Sequence, residues 1–393
     1  MKIAILADLH LGYNVDAEPQ AKQALEKASQ IADIVIAAGD LFDVRIPKQE
    51  VVNSGIKLFK NHLEAMQNKE IVLPQQHITL TKNGKKCENA VIAIPGTHER
   101  RTKGLVNVVE LLDSAGTLIN CHRDHVIVEK NGEKVAILGM AGVPEEYAKD
   151  VVKAGGFAPL DGHFNVFVFH QTLKEVIPMN DVFMSCADLP PGFDLYINGH
   201  IHWRRELKAH DKTLLIPGST VITQMRKNEM EKKGVWLYDT VTQKYEFIYI
   251  DSRPFFYNEL NFENATAEQV KNAVEKAVAQ ISEEGRPLIK LKLRGSLAAG
   301  TNTSTIDATL LARQFSNVEL YLDKEFDVIQ SLKDKIELIR RLKSEEKSVA
   351  EIGIAVLKEK LKKNKSTLKH EEELFSLLSE GEIEKAVAMV KNS

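Results

Sequence analysis

Asp8-Leu9-His10 sets a carboxylate and an imidazole two residues apart, directly after the apolar run from Lys2 to Ala7. Alternate residues of an extended segment point the same way, so the pair could hold one metal ion. Gly39-Asp40 follows a second apolar run, Ile34 to Ala38. Its carboxylate could bridge two cations, because each oxygen keeps a free lone pair. His200-Ile201-His202 repeats the same-side spacing with two imidazoles, and His170 closes the very apolar stretch Phe164 to Phe169. A single histidine at a strand end is ordinarily a hydrogen-bonded core residue. Here four of the chain's 12 histidines stand at strand ends beside two strand-end aspartates, and that set reads as a ligand shell. Mixed imidazole and carboxylate donors suit Mn, Fe, Zn or Co better than Mg or Ca, which favour all-oxygen shells. Two such ions about 3.5 to 4 Å apart clamp a phosphate and lower the pKa of a bridging water, so phosphate-ester hydrolysis is the expected chemistry.

Those residues must be positioned by strands. From the start to about residue 250, short apolar runs alternate with helical patterns, which predicts layered α/β architecture. Two further strands have the same form: Val91 to Pro95 enters Gly96-Thr97-His98-Glu99, and Leu195 to Asn198 enters Gly199-His200. Active sites of open α/β sheets lie outside the carboxyl ends of the strands, so five segments converge on one crevice.

A chain of 393 residues with 44% hydrophobic content predicts about two or three soluble domains. Lys plus Arg total 52 against 55 Asp plus Glu, so an anionic partner must meet local basic surface. The 3 cysteines, Cys87, Cys121 and Cys186, have no CxxC spacing and read as buried small hydrophobes in a reducing compartment. No apolar run approaches the roughly 20 residues that cross a bilayer, and no signal peptide is read at the start, so a cytoplasmic location is expected.

Near Asp251 to Pro254 the pattern changes. A smaller α/β unit is predicted, with a strand near Phe255 to Phe262 and a helix opened by Thr266 and Gln269 as a capping box. The strand Ile289 to Arg294 alternates strictly, which puts Lys290, Lys292 and Arg294 on one face as a basic stripe. Solvated strand charges are the ordinary explanation of such a stripe; beside a phosphodiesterase crevice it could also hold a nucleic-acid backbone. From about Phe326 to Ser366 the chain is a Lys- and Glu-rich connector, with Ser348 and Glu351 as a further capping box. Beyond it, Leu374, Phe375, Leu377 and Leu378, then Ile383, Ala386, Val387 and Val390, predict a helix pair too small for its own core, fit to grip a partner by a helix-in-groove contact.

In chain order, Asp8-x-His10, Gly39-Asp40, Gly96-Thr97-His98-Glu99, His170 and Gly199-His200-x-His202 resemble the five motifs of the calcineurin-like metallophosphoesterases. That resemblance implies a four-layer β-sandwich flanked by helices over residues 1–251. It implies that Asp8, His10, Asp40 and His202 hold one metal, that Asp40, His170 and His200 hold the other, and that His98 contacts the phosphate. Over the whole length the chain resembles the archaeal double-strand-break repair nucleases of the meiotic-recombination type. This implies a DNA-binding capping domain at 252–328, a charged linker at 329–347 and a helix-loop-helix at 348–393 that binds an SMC-like coiled-coil ATPase through Leu374, Phe375, Leu378, Ile383, Val387 and Val390. It further implies two Mn ions per subunit, exonuclease and single-strand endonuclease action on DNA, and a homodimer through helices at Lys48 to Met66 and Leu105 to Leu112, with Ile56, Leu63, Val108, Val109 and Leu112 as apolar positions.

Two positions depart from that family's pattern. Thr97 stands where an Asn amide oxygen normally ligates, so the second metal is expected to bind more weakly or to take a water instead. Asp43 stands where a His often orients the DNA phosphate, and an acid there would repel it. A non-catalytic DNA- and ATPase-binding scaffold and a phosphoesterase for small molecules or phosphoproteins are the competing readings.

Overall fold

Ile3 and Ile5 bury on one side of the first strand while Ala4 and Leu6 bury on the other, and the same two-sided burial recurs in every central strand. Strands covered on both faces read in sequence as unbroken apolar runs, which is why these segments show little polar alternation. The computed structural model describes residues 1–72, 78–87, 91–102, 104–178, 184–281, 285–298, 301, 303, 306, 311, 313–326, 354 and 371–379.

In chain order the strands are β1 (Lys2–Leu6), β2 (Ile34–Ala37), β3 (Ile78–Lys82), β4 (Lys85–Cys87), β5 (Val91–Ala93), β6 (Leu118–Asn120), β7 (His125–Lys130), β8 (Glu133–Met140), β9 (Phe164–Phe169), β10 (Leu195–Asn198), β11 (Arg205–Ala209), β12 (Lys212–Ile216), β13 (Gly234–Asp239), β14 (Tyr245–Tyr249), β15 (Phe255–Ala265), β16 (Leu288–Leu297) and β17 (Glu319–Phe326). The helices are α1 (Ala17–Ile31), α2 (Gln49–Val72), α3 (Val108–Ser114), α4 (Ala148–Ala154), α5 (Ala267–Ala279) and α6 (Glu371–Ser379). One sheet of 6 strands runs β14-β13-β1-β2-β5-β6, and another of 8 runs β11-β12-β10-β9-β8-β7-β3-β4.

The two sheets face each other across a core that includes Ile3, Ile36, Ile92, Ile137, Val168, Ile197 and Trp236. Outside the first sheet, α1, α2 and α3 cover Leu6, Val35 and Val91 with Ala24, Phe59 and Leu112. Outside the second, α4 and its neighbouring loops cover Phe167, Phe169 and Tyr196 with Val152, Leu173 and Phe193. This is the helix-flanked sandwich expected of the first domain. β1, β2, β5 and β6 run parallel in one sheet, and β8, β9, β10 and β12 run parallel in the other.

The chain divides into two compact units, one of Met1–Glu259, Ala273–Lys292 and Asp307–Asp323, the other of Leu260–Asn272, Leu293–Ile306 and Lys324–Ser393. β15, β16 and β17 form a three-stranded sheet in that order. Ahead of α5, Gln269 N donates to Thr266 Oγ1 at 3.3 Å and Thr266 N donates to Gln269 Oε1 at 2.9 Å, so the capping box forms as predicted. Among the apolar positions considered for a homodimer, Val109 and Leu112 have no exposed surface and are spent on the core. On the same segment Leu105, Val106 and Leu111 are the exposed apolar residues. The linker at 329–347, the Ser348 cap, Ile383, Val387, Val390 and the side chain of Leu378 lie outside the described residues. Of the terminal helix, Leu374 is buried and Phe375 half-buried.

Candidate metal centre

β1 ends at Leu6, and the backbone then leaves the extended region: Asp8 (φ 53°), His10 (φ 46°), Asp40 (φ 47°) and His200 (φ 71°) all adopt left-handed conformations. Each such non-glycine residue costs about 1 to 3 kcal/mol, and strain of this kind persists where the surroundings hold it. A second, irregular ladder holds it here. Asp8 N donates to Gly39 O at 2.9 Å, His10 N to Asp40 O at 3.1 Å and Leu11 N to Leu41 O at 2.9 Å. His200 N donates to the Asp8 carboxylate, at 3.1 Å from Oδ2. The extended-strand argument for Asp8-x-His10 and His200-x-His202 therefore does not describe the local geometry, because turns rather than pleats aim these side chains.

The side chains still converge. Asp8, His10 and His202 form one group and Asp40, His170 and His200 another, each with its candidate ligand atoms within 4.8 Å of one another. His200 and His202 are thus divided between the two groups. His10 Nε2 lies 3.2 Å from His202 Nε2, His202 Nε2 lies 3.7 Å from Asp8 Oδ1, and His170 Nε2 lies 3.1 Å from Asp40 Oδ2. Asp8 and His170 are fully buried, and His10 and Asp40 nearly so. His98 is 41% exposed at the rim, with Nε2 4.0 Å from Asp40 Oδ2, while its backbone N–H donates to Asp40 Oδ1 at 2.8 Å. The Thr97 hydroxyl donates to Asp40 Oδ2 at 3.2 Å. Gly96 is required beside it, since a Cβ there would collide with the Asp40 carboxylate and backbone.

The hydrogen bonds around the imidazoles decide which nitrogen can ligate. His10 Nδ1 lies 3.1 Å from the Asp43 carboxylate, and His170 Nδ1 lies 2.7 Å from Ala38 O. Both oxygens accept only, so both Nδ1 atoms carry the proton and both Nε2 atoms turn toward the carboxylates. His202 Nδ1 meets Thr223 Oγ1, whose own proton is directed at Glu229 Oε1, 3.4 Å away. His170 Nε2 is buried with no well-aligned hydrogen-bond partner among the described residues. Nε2 donors oriented by a carboxylate, a carbonyl and a hydroxyl are the usual arrangement around a bound transition metal, and the residues present fit such an ion.

Electrostatics agree with that fit. Burial raises the Asp8 pKa well above the carboxylate range, against the pull of His170. Burial also opposes ionisation of Asp40, yet His170, His10 and His98 hold its pKa well below the usual value. Burial lowers His200 to about 4 and His202 to about 2, helped by neighbouring imidazoles, so both are neutral near pH 7 with lone pairs to offer. Burial works against protonation of His170 as well, but Asp40 and Asp8 lift it to about 10. A divalent cation beside the same carboxylates would displace that proton and free Nε2 for ligation.

Several residues that build the site went unread in the sequence. Glu99 is fully buried, accepts from Phe42 N at 2.8 Å and Gly96 N at 2.7 Å, and so joins the loops carrying Asp40 and His98. Burial and the nearby Asp40 raise its pKa to about 7. Lys233 Nζ donates to His202 O at 2.8 Å and Ser219 Oγ at 3.0 Å and pairs with Glu229 at 3.3 Å, with both charged residues buried. Glu99 was visible in its motif, whereas no local pattern marks Thr223, Glu229 or Lys233. Asp43, expected to repel phosphate, is engaged with His10 Nδ1, and its backbone oxygen accepts from His98 Nδ1. Of the basic stripe, Lys290 Nζ lies 3.6 Å from Asp323 Oδ2 and Arg294 Nε donates to Glu325 Oε2 at 3.1 Å, so acids on β17 offset these charges.

Residues 1–204 match the calcineurin-like phosphoesterase family. The chain is similar to the DNA double-strand break repair protein Mre11 of Methanopyrus kandleri, with 27% identity over 241 residues that cover 56% of this chain and 48% of that protein. The protein of the same name from Saccharolobus solfataricus is 26% identical over 259 residues, 61% of this chain and 60% of that one. The one from Sulfolobus acidocaldarius is 23% identical over 317 residues, 76% of each. The chain thus spans 48% and 60% of the length of the first two relatives. With residues 1–204 of its 393 matched and the motif residues of that span gathered at the strand ends, the chain belongs to the calcineurin-like phosphoesterase family.

Proposed function

We propose that this chain is a metal-dependent DNA nuclease acting in double-strand-break repair. The observation that carries the reading is the pair of Asp/His groups, buried except for the half-buried His200, Asp8 with His10 and His202 and Asp40 with His170 and His200, opening on the half-exposed His98. Asp8, His10, Asp40 and His202 would hold one divalent cation and Asp40, His170 and His200 a second, with Mn the metal we assign. When bound, two such ions clamp a phosphate and supply a hydroxide nucleophile near neutral pH. The protein's own part is positioning. Asp43, Ala38 and Thr223 fix three imidazoles in the ligating tautomer. The Asp43 carbonyl fixes His98 through Nδ1, which leaves Nε2 on the side of the site to meet a phosphate of the substrate.

The names of the relatives support DNA as the substrate class and break repair as the setting. We extend the reading to 3′-to-5′ exonuclease and single-strand endonuclease activity, to a capping domain at 252–328, and to an SMC-like coiled-coil ATPase bound by residues 348–393. We place the homodimer contact on the exposed Leu105, Val106 and Leu111. Among the described residues no helix is long and apolar enough to cross a membrane, and we place the protein in the cytoplasm.

The test incubates the purified protein with linear duplex, hairpin and circular single-stranded DNA, with and without Mn, beside His170→Ala. Mn-dependent cleavage of DNA that the variant lacks is expected. Absence of metal-dependent cleavage, or equal cleavage by the variant, overturns the proposal.

A further inference from the structure

The buried ring of His10 lies between two partly exposed rings. His98 meets it at 4.9 Å between centroids and Tyr13 at 6.4 Å, both edge-on. Tyr13 is 39% exposed. The turn that buries a ligand of the Asp8 group thus also carries an aromatic ring out to solvent beside it.

That turn is built to hold the ring still. Tyr13 N donates to His10 O at 2.9 Å. Gly12 between them adopts φ 91°, and a Cβ on it would come within 2.9 Å of Val51 Cγ1. The Tyr13 hydroxyl donates to Thr223 O at 2.6 Å, and the side chain of the same Thr223 meets His202 Nδ1. Three residues on, Asp16 pairs with Arg253 at 3.1 Å, and Arg253 pairs again with Glu319 on β17 at 2.7 Å. Glu319 accepts from the hydroxyl of Tyr321, a second tyrosine 40% exposed, near enough to Tyr13 for the two hydroxyls to interact electrostatically. All of these residues belong to one compact unit of the chain.

A single half-exposed tyrosine is ordinary surface. Two of them tied to one arginine, with the hydroxyl of the first anchored behind a metal-binding histidine, make a fixed aromatic surface at the edge of the centre. Fixing the ring in advance removes the rotamer entropy that a ligand would otherwise have to overcome. Every base has a π-face, so a ring of this kind suits a nucleobase whatever its identity. A phosphate held by the Asp8 group and His98 brings its attached nucleoside within reach of a ring 6.4 Å from His10. Inside a duplex both faces of each base are covered by neighbours. The platform is therefore open only to a base that is unpaired or frayed at an end.

We propose that Tyr13 is the stacking platform for the base next to the scissile phosphate, and that it directs cleavage toward unpaired nucleotides. The inference rests on the reading of the site as a DNA nuclease and names the part of the substrate, beyond the phosphate, that the site grips.

The experiment measures Mn-dependent cleavage of a single-stranded oligonucleotide in which one tetrahydrofuran abasic residue is placed in turn at each position. The full chain is compared with Tyr13→Leu and Tyr13→Phe, and Mn affinity is titrated in all three. In the wild type, an abasic residue beside a bond is expected to lower kcat/KM at that bond about tenfold. Tyr13→Leu should lose the same factor on the intact oligonucleotide and nothing more at the abasic position, with Mn affinity unchanged. Tyr13→Phe keeps the ring without its hydroxyl and should respond to the abasic residue as the wild type does. An abasic penalty of equal size in the wild type and Tyr13→Leu overturns the assignment, as does a loss shared by Tyr13→Phe and accompanied by weaker Mn binding. A wild-type chain that cleaves no DNA with Mn overturns the nuclease reading itself, and Tyr13 with it.

Discussion

His10 Nε2 and His202 Nε2 face each other at 3.2 Å across 192 residues of sequence. Neither can donate to the other while both Nδ1 protons are engaged, at Asp43 and at Thr223. Two lone pairs at this distance repel unless a cation lies between them or beside them. The groups that anchor Nδ1 should thus matter almost as much as the ligands. Asp43→Ala and Thr223→Val are each expected to lower affinity for one Mn about 10- to 100-fold and to leave the other ion in place. Titration with bound-metal analysis checks this, and unchanged affinity in both variants would count against the tautomer argument.

Gly96→Ala forces a methyl group into the Asp40 carboxylate and backbone. Overpacking of this kind costs about 1 to 3 kcal/mol, and here it also displaces the carboxylate shared by the two groups. The expected outcome is a lower urea midpoint together with weaker binding of both ions. A variant of normal stability and normal stoichiometry would disprove it.

Lys233 and Glu229 are a buried ion pair that also braces His202 through its carbonyl and through Thr223. Lys233→Met leaves the Glu229 carboxylate buried without its cation, which is expected to cost about 3 to 5 kcal/mol in denaturant unfolding. Adding Glu229→Gln should recover part of that loss. If the double variant is the less stable of the two, the pair is not the source of the effect.

His62 packs beneath α1 with Nδ1 unpartnered among the described residues, and burial lowers its pKa from 6.5 to about 4. The unfolded chain therefore takes up this proton first as pH falls. Stability from this group is complete above pH 6.5, declines between pH 6.5 and 4, and is down by about 3 kcal/mol below that window. His62→Gln removes that part of the acid dependence. Urea unfolding of both proteins from pH 4 to 7.5 measures it, and parallel profiles would refute it.

For the proposed homodimer, Val106→Asp and Leu111→Asp place charge on exposed apolar positions of the Leu105 to Leu112 segment without touching the buried Val109 and Leu112. Light scattering should report monomer for the double variant and dimer for the parent. A dimer in both would move the contact elsewhere.

The strands of the layered α/β domain and the identity of the clustered residues were legible because both depend on local signals, while their closure into a sandwich was implied by the family resemblance. Apolar runs mark strands, and a polar residue just past a run marks the strand's carboxyl end, whatever lies across the sheet. The capping box at Thr266 was legible for the same reason. The basic stripe was only half legible: β16 alternates as read, but Asp323 and Glu325 sit opposite Lys290 and Arg294 through pairing with a strand some thirty residues on.

By itself, then, the sequence determined which segments become strands and that Asp8, His10, Asp40, His98, His170, His200 and His202 follow them, since periodicity and composition act over a few residues. How the ligands divide was implied by the family resemblance, but its physical cause lies in the tertiary structure. His200 and His202 part company because left-handed turns, held by backbone bonds between distant loops, replace the pleat that would have kept them on one side. Only the tertiary structure decided what stands behind them. Asp43, Thr223, Glu229 and Lys233 reach the site through packing between segments far apart in the chain, and no spacing along one segment encodes a contact with another.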